Sequence, residues 1–107
     1  MRLAFAQEAE LLLDKGTDSR APGGAVTLAL CGHWEHDGPC RWPHHSAIET
    51  EGCSARLRTG FASTAKDEPT VRRRMEEGLR CAEGWTVLSI RPAELNEDER
   101  ELGRRLA

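Results

Sequence analysis

Aromatic residues are scarce in this 107-residue sequence, which has no Tyr, two Phe and three Trp. It also lacks a long hydrophobic run, since a membrane-spanning helix needs about 20 consecutive apolar residues and no stretch approaches that length. Positive charge is not in excess, because 15 Lys and Arg stand against 18 Asp and Glu, for a formal net charge of −3. These absences argue against a membrane span and against a general electrostatic attraction to nucleic acid or anionic membranes.

The four cysteines lack the C-x2-C spacing of zinc ribbons and thiol oxidoreductases. The amino-terminal stretch lacks the uncharged segment of a secretion signal, because Glu8, Glu10 and Asp14 interrupt it. We therefore expect a cytoplasmic protein with reduced thiols, in which cysteine binds metal rather than forming disulfides.

The sequence does contain a cluster of metal-binding residue types in residues 31–45, CGHWEHDGPCRWPHH. All four His and two of the four Cys fall within this stretch. Thiolate and imidazole are the side chains that zinc prefers, and the intervening Gly, Pro and Trp are poor material for a regular helix or strand. The cluster predicts a zinc site.

If the chain folds back at Asp37 and Gly38, side chains alternate between two faces along each arm, and one face carries two Cys and two His, a tetrahedral set of ligands. The predicted zinc ligands are Cys31, His33, Cys40 and His44, with His36 and His45 as substitutes. The spacing C-x-H-x6-C-x3-H matches no standard zinc motif, so the prediction depends on the clustering itself. A solvated His-rich loop without a ligand and a catalytic Cys–His pair are the alternatives.

Hydrophobic periodicity predicts six regular segments. They are a helix over 2–15, a strand over 25–34, a strand over 55–63, a helix over 68–81, a strand over 85–90 and a last helix that begins after Asn96. Asp67 is the expected N-cap of the helix over 68–81, and Asn96 and Glu99 form an expected capping box at the start of the last helix. The first helix is inferred from the helical spacing of Phe5, Ala9, Leu12 and Leu13. The first strand is inferred from an uncharged run, AVTLALCGHW.

The expected fold class is α+β, with a three-stranded antiparallel or mixed sheet and two helices on one face. This β-β-α-β-α order is similar to a truncated ferredoxin-like sandwich, with an N-terminal helix in addition. Residues 1–20 would be that amphipathic helix and a linker, and residues 21–107 a small zinc-binding domain.

Strand alternation directs Leu88 toward the helices and predicts which residues occupy the opposite face of the sheet. This face would carry Ala29, Trp85 and Val87 as apolar residues, with Arg56 and Arg58 beside them. The first helix, of the same chain or of a second copy, would cover it and pair Glu8 and Glu10 with these arginines. A homodimer or a protein partner is therefore expected.

Two main functions follow from these features. The first is a non-catalytic module in which zinc is structural and the sheet face binds a partner or a second subunit. The second is a small zinc-dependent hydrolase or lyase with an open coordination position, in which Glu35, His36 or His45 acts as the base. Nucleic-acid binding through the open sheet face is a third and weaker alternative, and no membrane partner is expected.

Overall fold

Seven regular elements make up the computed structural model, which describes residues 2–31 and 42–106. In chain order they are β1 (Leu3–Leu13), α1 (Ala21–Cys31), β2 (His44–Glu51), β3 (Ser54–Ser63), α2 (Glu68–Cys81), β4 (Trp85–Ala93) and α3 (Glu97–Leu106).

The strands form one antiparallel sheet in the order β2-β3-β1-β4, with β1 paired along both of its sides. The hydrophobic core lies between one sheet face and the helices α1 and α2. A β-α-β-β-α-β chain with this strand order has the ferredoxin-like arrangement. The last helix, α3, lies against the opposite face, where the Glu99 side chain contacts Gly60.

The predicted three-stranded sheet with an N-terminal helix is wrong, because residues 3–13 form the central strand of a four-stranded sheet. This stretch fits a helical spacing, but its apolar residues also alternate with a period of two, as in a strand. The alternating residues that face α1 and α2 are Phe5, Gln7, Ala9, Leu11 and Leu13. Pairing with β3 and β4, more than 40 residues away, decides between the two periods. The paired strands lie within 21–107, so residues 1–20 share one sheet with the rest of the chain.

The strand predicted over 25–34 is also wrong, because residues 21–31 form helix α1. An uncharged run fits a buried helix as well as a buried strand, and periodicity does not separate them. Pro22 lies in the first helical turn, where its missing N–H costs no hydrogen bond. Val26 and Leu30 are four residues apart and only 1% and 4% exposed, so one stripe of the helix enters the core.

The carboxyl-terminal half of the chain agrees with the prediction. Helix α2 spans Glu68–Cys81, with Val71, Met75 and Leu79 buried. The predicted capping box of α3 is present, since the Glu99 amide donates to Asn96 Oδ1 and the Asn96 amide donates to a Glu99 carboxylate oxygen, both at 2.8 Å.

A bulge in β4 reverses the predicted orientation of several side chains. Ile90 pairs with Ala9 and Val87 pairs with Leu11, so β4 contains one extra residue between them. Val87 and Ile90 therefore both pack against the core, and Leu88 turns to the opposite face, where it is 59% exposed. The predictions that Leu88 is internal and that Trp85 and Val87 are external are wrong for this reason.

Helices α1 and α2 approach each other closely at Gly78. A Cβ atom at this position would lie 2.8 Å from the Cβ of Ala29 and 3.2 Å from the backbone oxygen of Ala25. Ala29, predicted on the open sheet face, instead belongs to this helix–helix contact.

Gly78→Ala should lower the free energy of unfolding by about 1 kcal/mol, because overpacking at a helix crossing costs about 1–3 kcal/mol and exceeds the gain of about 1 kcal/mol in helix propensity. Urea denaturation measures the change. The matched control is Gly23→Ala in α1, where the new Cβ would meet the Ser46 Cβ at an ordinary 3.7 Å. Equal stability of the two variants would contradict the close approach.

Candidate metal site and open sheet face

The predicted zinc ligands lie in and around the segment 32–41. Cys31 is the last residue of α1 and His44 is the first residue of β2. His33, His36 and Cys40 lie outside the described residues. The segment that contains them thus begins in the helical layer and ends at the edge strand of the sheet.

The imidazole of His44 has two hydrogen-bonding contacts on the helix-covered side of the sheet. Its Nδ1 lies 3.1 Å from the carbonyl oxygen of Trp42, and its Nε2 lies 3.2 Å from Thr27 Oγ1 in α1. Because a carbonyl oxygen can only accept, His44 Nδ1 is the donor to Trp42. A backbone carbonyl orients the ring of many zinc-bound histidines in this way. Nε2 faces the Thr27 hydroxyl, so a metal ion bound at Nε2 would have to replace that contact.

Helix α1 connects this histidine to the amino end of the cluster. Thr27 contacts His44, and α1 ends at Cys31 four positions later, so the Cα of residue 31 lies about 6 Å further along the helix. The segment 32–41 therefore begins one helical turn beyond the contact of α1 with His44.

His45 lies on the other side of the sheet. It pairs with Gly60 in β3, is exposed and follows His44 directly in a regular strand. Successive strand residues point to opposite faces. The two histidines therefore face different sides of the molecule, which makes them alternatives rather than ligands of one ion.

Within residues 2–31 and 42–106, no group of three or more His, Cys, Asp or Glu is placed to hold a metal ion. The other two cysteines are free and exposed: Cys53 lies in the turn between β2 and β3, and Cys81 ends α2. A site that uses His44 would need further ligands from residues 31–41.

Trp42 anchors the carboxyl end of this segment. Its side chain is 3% exposed, its Nε1 donates to Asp67 Oδ2 at 3.4 Å, and the Arg74 guanidinium lies 4.9 Å from its ring centroid. Arg74 lies in α2 and Asp67 directly precedes it, so these contacts hold the residues before β2 against that helix. Asp67, predicted as a helix N-cap, makes no side-chain cap bond and serves this contact instead.

The face of the sheet opposite α1 and α2 carries charges that alternate in sign from strand to strand. In spatial order these are Glu49 and Glu51 on β2, Arg56 and Arg58 on β3, Glu8 and Glu10 on β1, and Arg91 on β4. The shortest contacts between β1 and its neighbours are 3.6 Å, for Arg58 with Glu8 and for Arg91 with Glu10. The expected pairing of Arg56 and Arg58 with Glu8 and Glu10 is present, but strand pairing rather than a covering helix produces it.

One end of this face is covered by α3. Arg58 Nε and Nη2 donate to the two carboxylate oxygens of Glu99 at 2.7 and 2.8 Å, and Arg58 also donates to the carbonyl oxygen of Glu94. The sheet residues at this end are small, since Ala6, Gly60 and Ala62 lie there, so the helix can approach the strands. Sequence reasoning found the capping role of Glu99 but missed its bond to Arg58, which joins residues 41 positions apart.

A groove of about 520 Å³ remains beside α3 on the charged part of the face. Glu8, Arg56 and Arg58 line its floor, and Glu94 and Asn96 line its wall. The part of the open face beside α3 is therefore polar, whereas the predicted apolar patch of Ala29, Trp85 and Val87 belongs to the core and to the helix contact.

Comparisons with known proteins identify no family, since no protein-family model and no curated protein matches the chain. Among solved structures, the chain is similar to a de novo designed protein with a ferredoxin fold, determined by NMR in solution. The two are 14% identical, the match covers 89% of each chain, and the TM-score is 0.40. The ferredoxin-like arrangement of this chain follows from its own strand order.

Across the described part of the chain, no helix combines the length and the apolar character needed to cross a membrane.

Glu99→Gln should lower the free energy of unfolding by about 1–2 kcal/mol at neutral pH, because it removes a charge-assisted bond to Arg58. Burial raises the pKa of Glu99, but hydrogen bonds from Arg58 and the Asn96 amide outweigh it and hold the pKa below its ordinary value. The stabilisation is therefore complete above the pKa of the unfolded chain and is lost as the pH falls through the lower folded value.

Urea denaturation at neutral and acidic pH measures this effect. The difference between wild type and Glu99→Gln should shrink below about pH 4. Glu97→Gln is the control, since Glu97 is an exposed acid in the first turn of the same helix. A difference that stays constant with pH would show that the carboxylate charge of Glu99 is not responsible.

Proposed function

We propose that this chain is a small cytoplasmic zinc-binding α+β protein in which the metal is structural and the fold serves as a dimerisation or partner-binding module. The observation that supports the metal proposal is the contact of Thr27 in α1 with His44 in β2, since α1 ends at Cys31 and the Cys and His cluster therefore runs between two elements that touch. Zinc bound there, with His33 and Cys40 as the other ligands, would tie the segment 32–41 to both layers.

The geometry favours His44 over His45 as the ligand. His44 lies in the layer that contains α1, and its ring is already oriented by the Trp42 carbonyl. His45 lies on the face away from α1 and hence away from Cys31. We also prefer a structural site to an open catalytic one, because His45, one of the bases that a hydrolase would use, lies on the opposite side of the sheet.

The open face gives no support to nucleic-acid binding. Arg56, Arg58 and Arg91 each lie within 4 Å of a glutamate carboxylate. These carboxylates neutralise the arginines that would otherwise attract phosphates. The cytoplasmic location is proposed from the free thiols of Cys53 and Cys81 together with the reduced thiols that a Cys-containing zinc site requires.

Protein purified without a histidine tag should contain about one equivalent of tightly bound zinc, as structural sites of this kind do. Elemental analysis by mass spectrometry measures the content. Protein that contains no transition metal, and that retains none after zinc is added and excess is removed, would contradict the proposal.

Substitution of ligands should lower zinc content and thermal stability together, because the metal-binding energy contributes to folding when the unfolded chain has no site. Cys31→Ser, Cys40→Ser and His44→Gln should show both losses. The matched controls are Cys81→Ser and His45→Gln, which should change neither. If His45→Gln lost zinc while His44→Gln retained it, the site would lie on the other face of β2.

A further inference from the structure

The two edge strands of the sheet differ in how they are protected from pairing with another strand. On β4, Pro92 lacks a backbone N–H and the bulge at Leu88 breaks the regular register. On β2, the register with β3 is unbroken from His44 to Glu51, and the strand contains no Pro, Lys or Arg. Within the described residues, the outer edge of β2 therefore lacks the proline and the bulge that interrupt β4.

The hydrogen bonds at the start of β2 show which of its backbone groups point outward. The amide of Ala62 donates to the carbonyl oxygen of Pro43 at 2.9 Å, which makes these two residues a hydrogen-bonded pair. Alternation then directs the groups of residues 45, 47, 49 and 51 toward β3 and those of His44, Ser46, Ile48 and Thr50 away from it. Among the described residues, none bonds to these outward backbone groups.

We propose that the outer edge of β2 is the binding site for a second copy of this chain, with the two β2 strands antiparallel about a twofold axis. The proposal rests on the dimerisation role proposed above and names its surface, but it does not require the metal. The register that pairs all four outward residues places His44 opposite Thr50 of the partner subunit and Ser46 opposite Ile48 of the partner subunit. Ala47 then lies on the axis.

Side-chain pairing across the edge supports a second copy as the occupant. In this register His45 lies opposite Glu49 of the partner subunit, so an imidazole N–H faces a carboxylate acceptor twice by symmetry. The residue at the axis, Ala47, is small and exposed, so the two copies meet there without steric conflict or like charge.

Helix α1, which lies beside this edge, is also suited to contact with a second copy of itself. Helix α1 contains no charged residue, and it adjoins β2 through the contacts of Thr27 with His44 and of Gly23 with Ser46. Leu28 on its outer side is 39% exposed. A copy added at β2 would bring a second α1 alongside the first and cover apolar surface on both. The competing arrangement is a dimer in which the open sheet faces of two copies stack. Helix α3 already covers part of that face, and the arginines of the sheet there are paired with glutamates of the same chain.

Ala47→Glu tests the edge directly. In the monomer the new carboxylate would lie opposite Arg58, whereas in the dimer it would face its own copy across the axis. The dissociation constant, measured by analytical ultracentrifugation from micromolar to millimolar concentration, should rise by about tenfold or more. The control is Thr86→Glu, an exposed position on β4, which should leave the constant unchanged.

A mixture of two variants separates edge pairing from a general loss of association. Ala47→Lys should weaken the dimer as Ala47→Glu does, and mixing the two should restore dimers that contain one chain of each, because Lys then faces Glu. Circular dichroism and zinc content should match wild type in both variants, so that failure of the metal proposal would be detected separately. A monomeric wild type, unchanged association of Ala47→Glu, loss of the dimer in Thr86→Glu, or a mixture without mixed dimers would each overturn the proposal.

Discussion

The pairing of β1 with two neighbours is the interaction on which the rest of the structure depends. This strand lies between β3 and β4, so without it β4 would have no partner in the sheet and would be separated from β2 and β3. It comes first in the chain, yet Leu3 pairs with Ser63 and Ala6 pairs with Ala93. Contacts of such long sequence separation require much of the chain to be brought together before they form, which is typical of slowly folding topologies.

The two faces of β1 serve different kinds of interaction. On one side Ala9 and Leu11 are 2% and 1% exposed and lie in the hydrophobic core with α1 and α2. On the other side Glu8 and Glu10 lie between arginines of β3 and β4. Such partly exposed ion pairs contribute little free energy individually. The alternation of charge from strand to strand nevertheless favours the observed register over one shifted by a single residue, in which the glutamates of β1 would no longer lie opposite arginines. The core thus supplies the stability, and the charged face helps to specify the pairing.

The sequence predicts the second half of the chain well because local signals act there. Asn96 and Glu99 cap each other within one turn, and the stripe of Val71, Met75 and Leu79 fits a helical period alone. The first half has no such signals. Residues 3–13 fit two periods, and α1 is apolar on all sides, so only contacts with distant residues decide their structure. The bulge in β4 likewise depends on the partner strand, which is why the orientation of Leu88 could not be read from alternation.

The candidate site divides in the same way. Composition alone identified the cluster of Cys and His, and parity selected His44 as a ligand with His45 as its substitute. What the sequence could not show is that the cluster begins in a helix, so that the distance between Cys31 and His44 is set by helix–sheet packing rather than by a hairpin. The contact of Thr27 with His44 is part of that packing, and the spacing of residues along the sequence does not predict it.

Pro92 and the bulge in β4 have a consequence for how large an assembly of this chain can become. A molecule whose sheet accepts a new strand at both edges can add neighbours without end, which is the geometry of fibrils. With the β4 edge closed, the described sheet leaves one edge for the proposed pairing, and two such edges would satisfy each other about a twofold axis. An imperfect strand at one edge thereby sets an upper limit on growth, and the irregularity of β4 acts as protection against polymerisation.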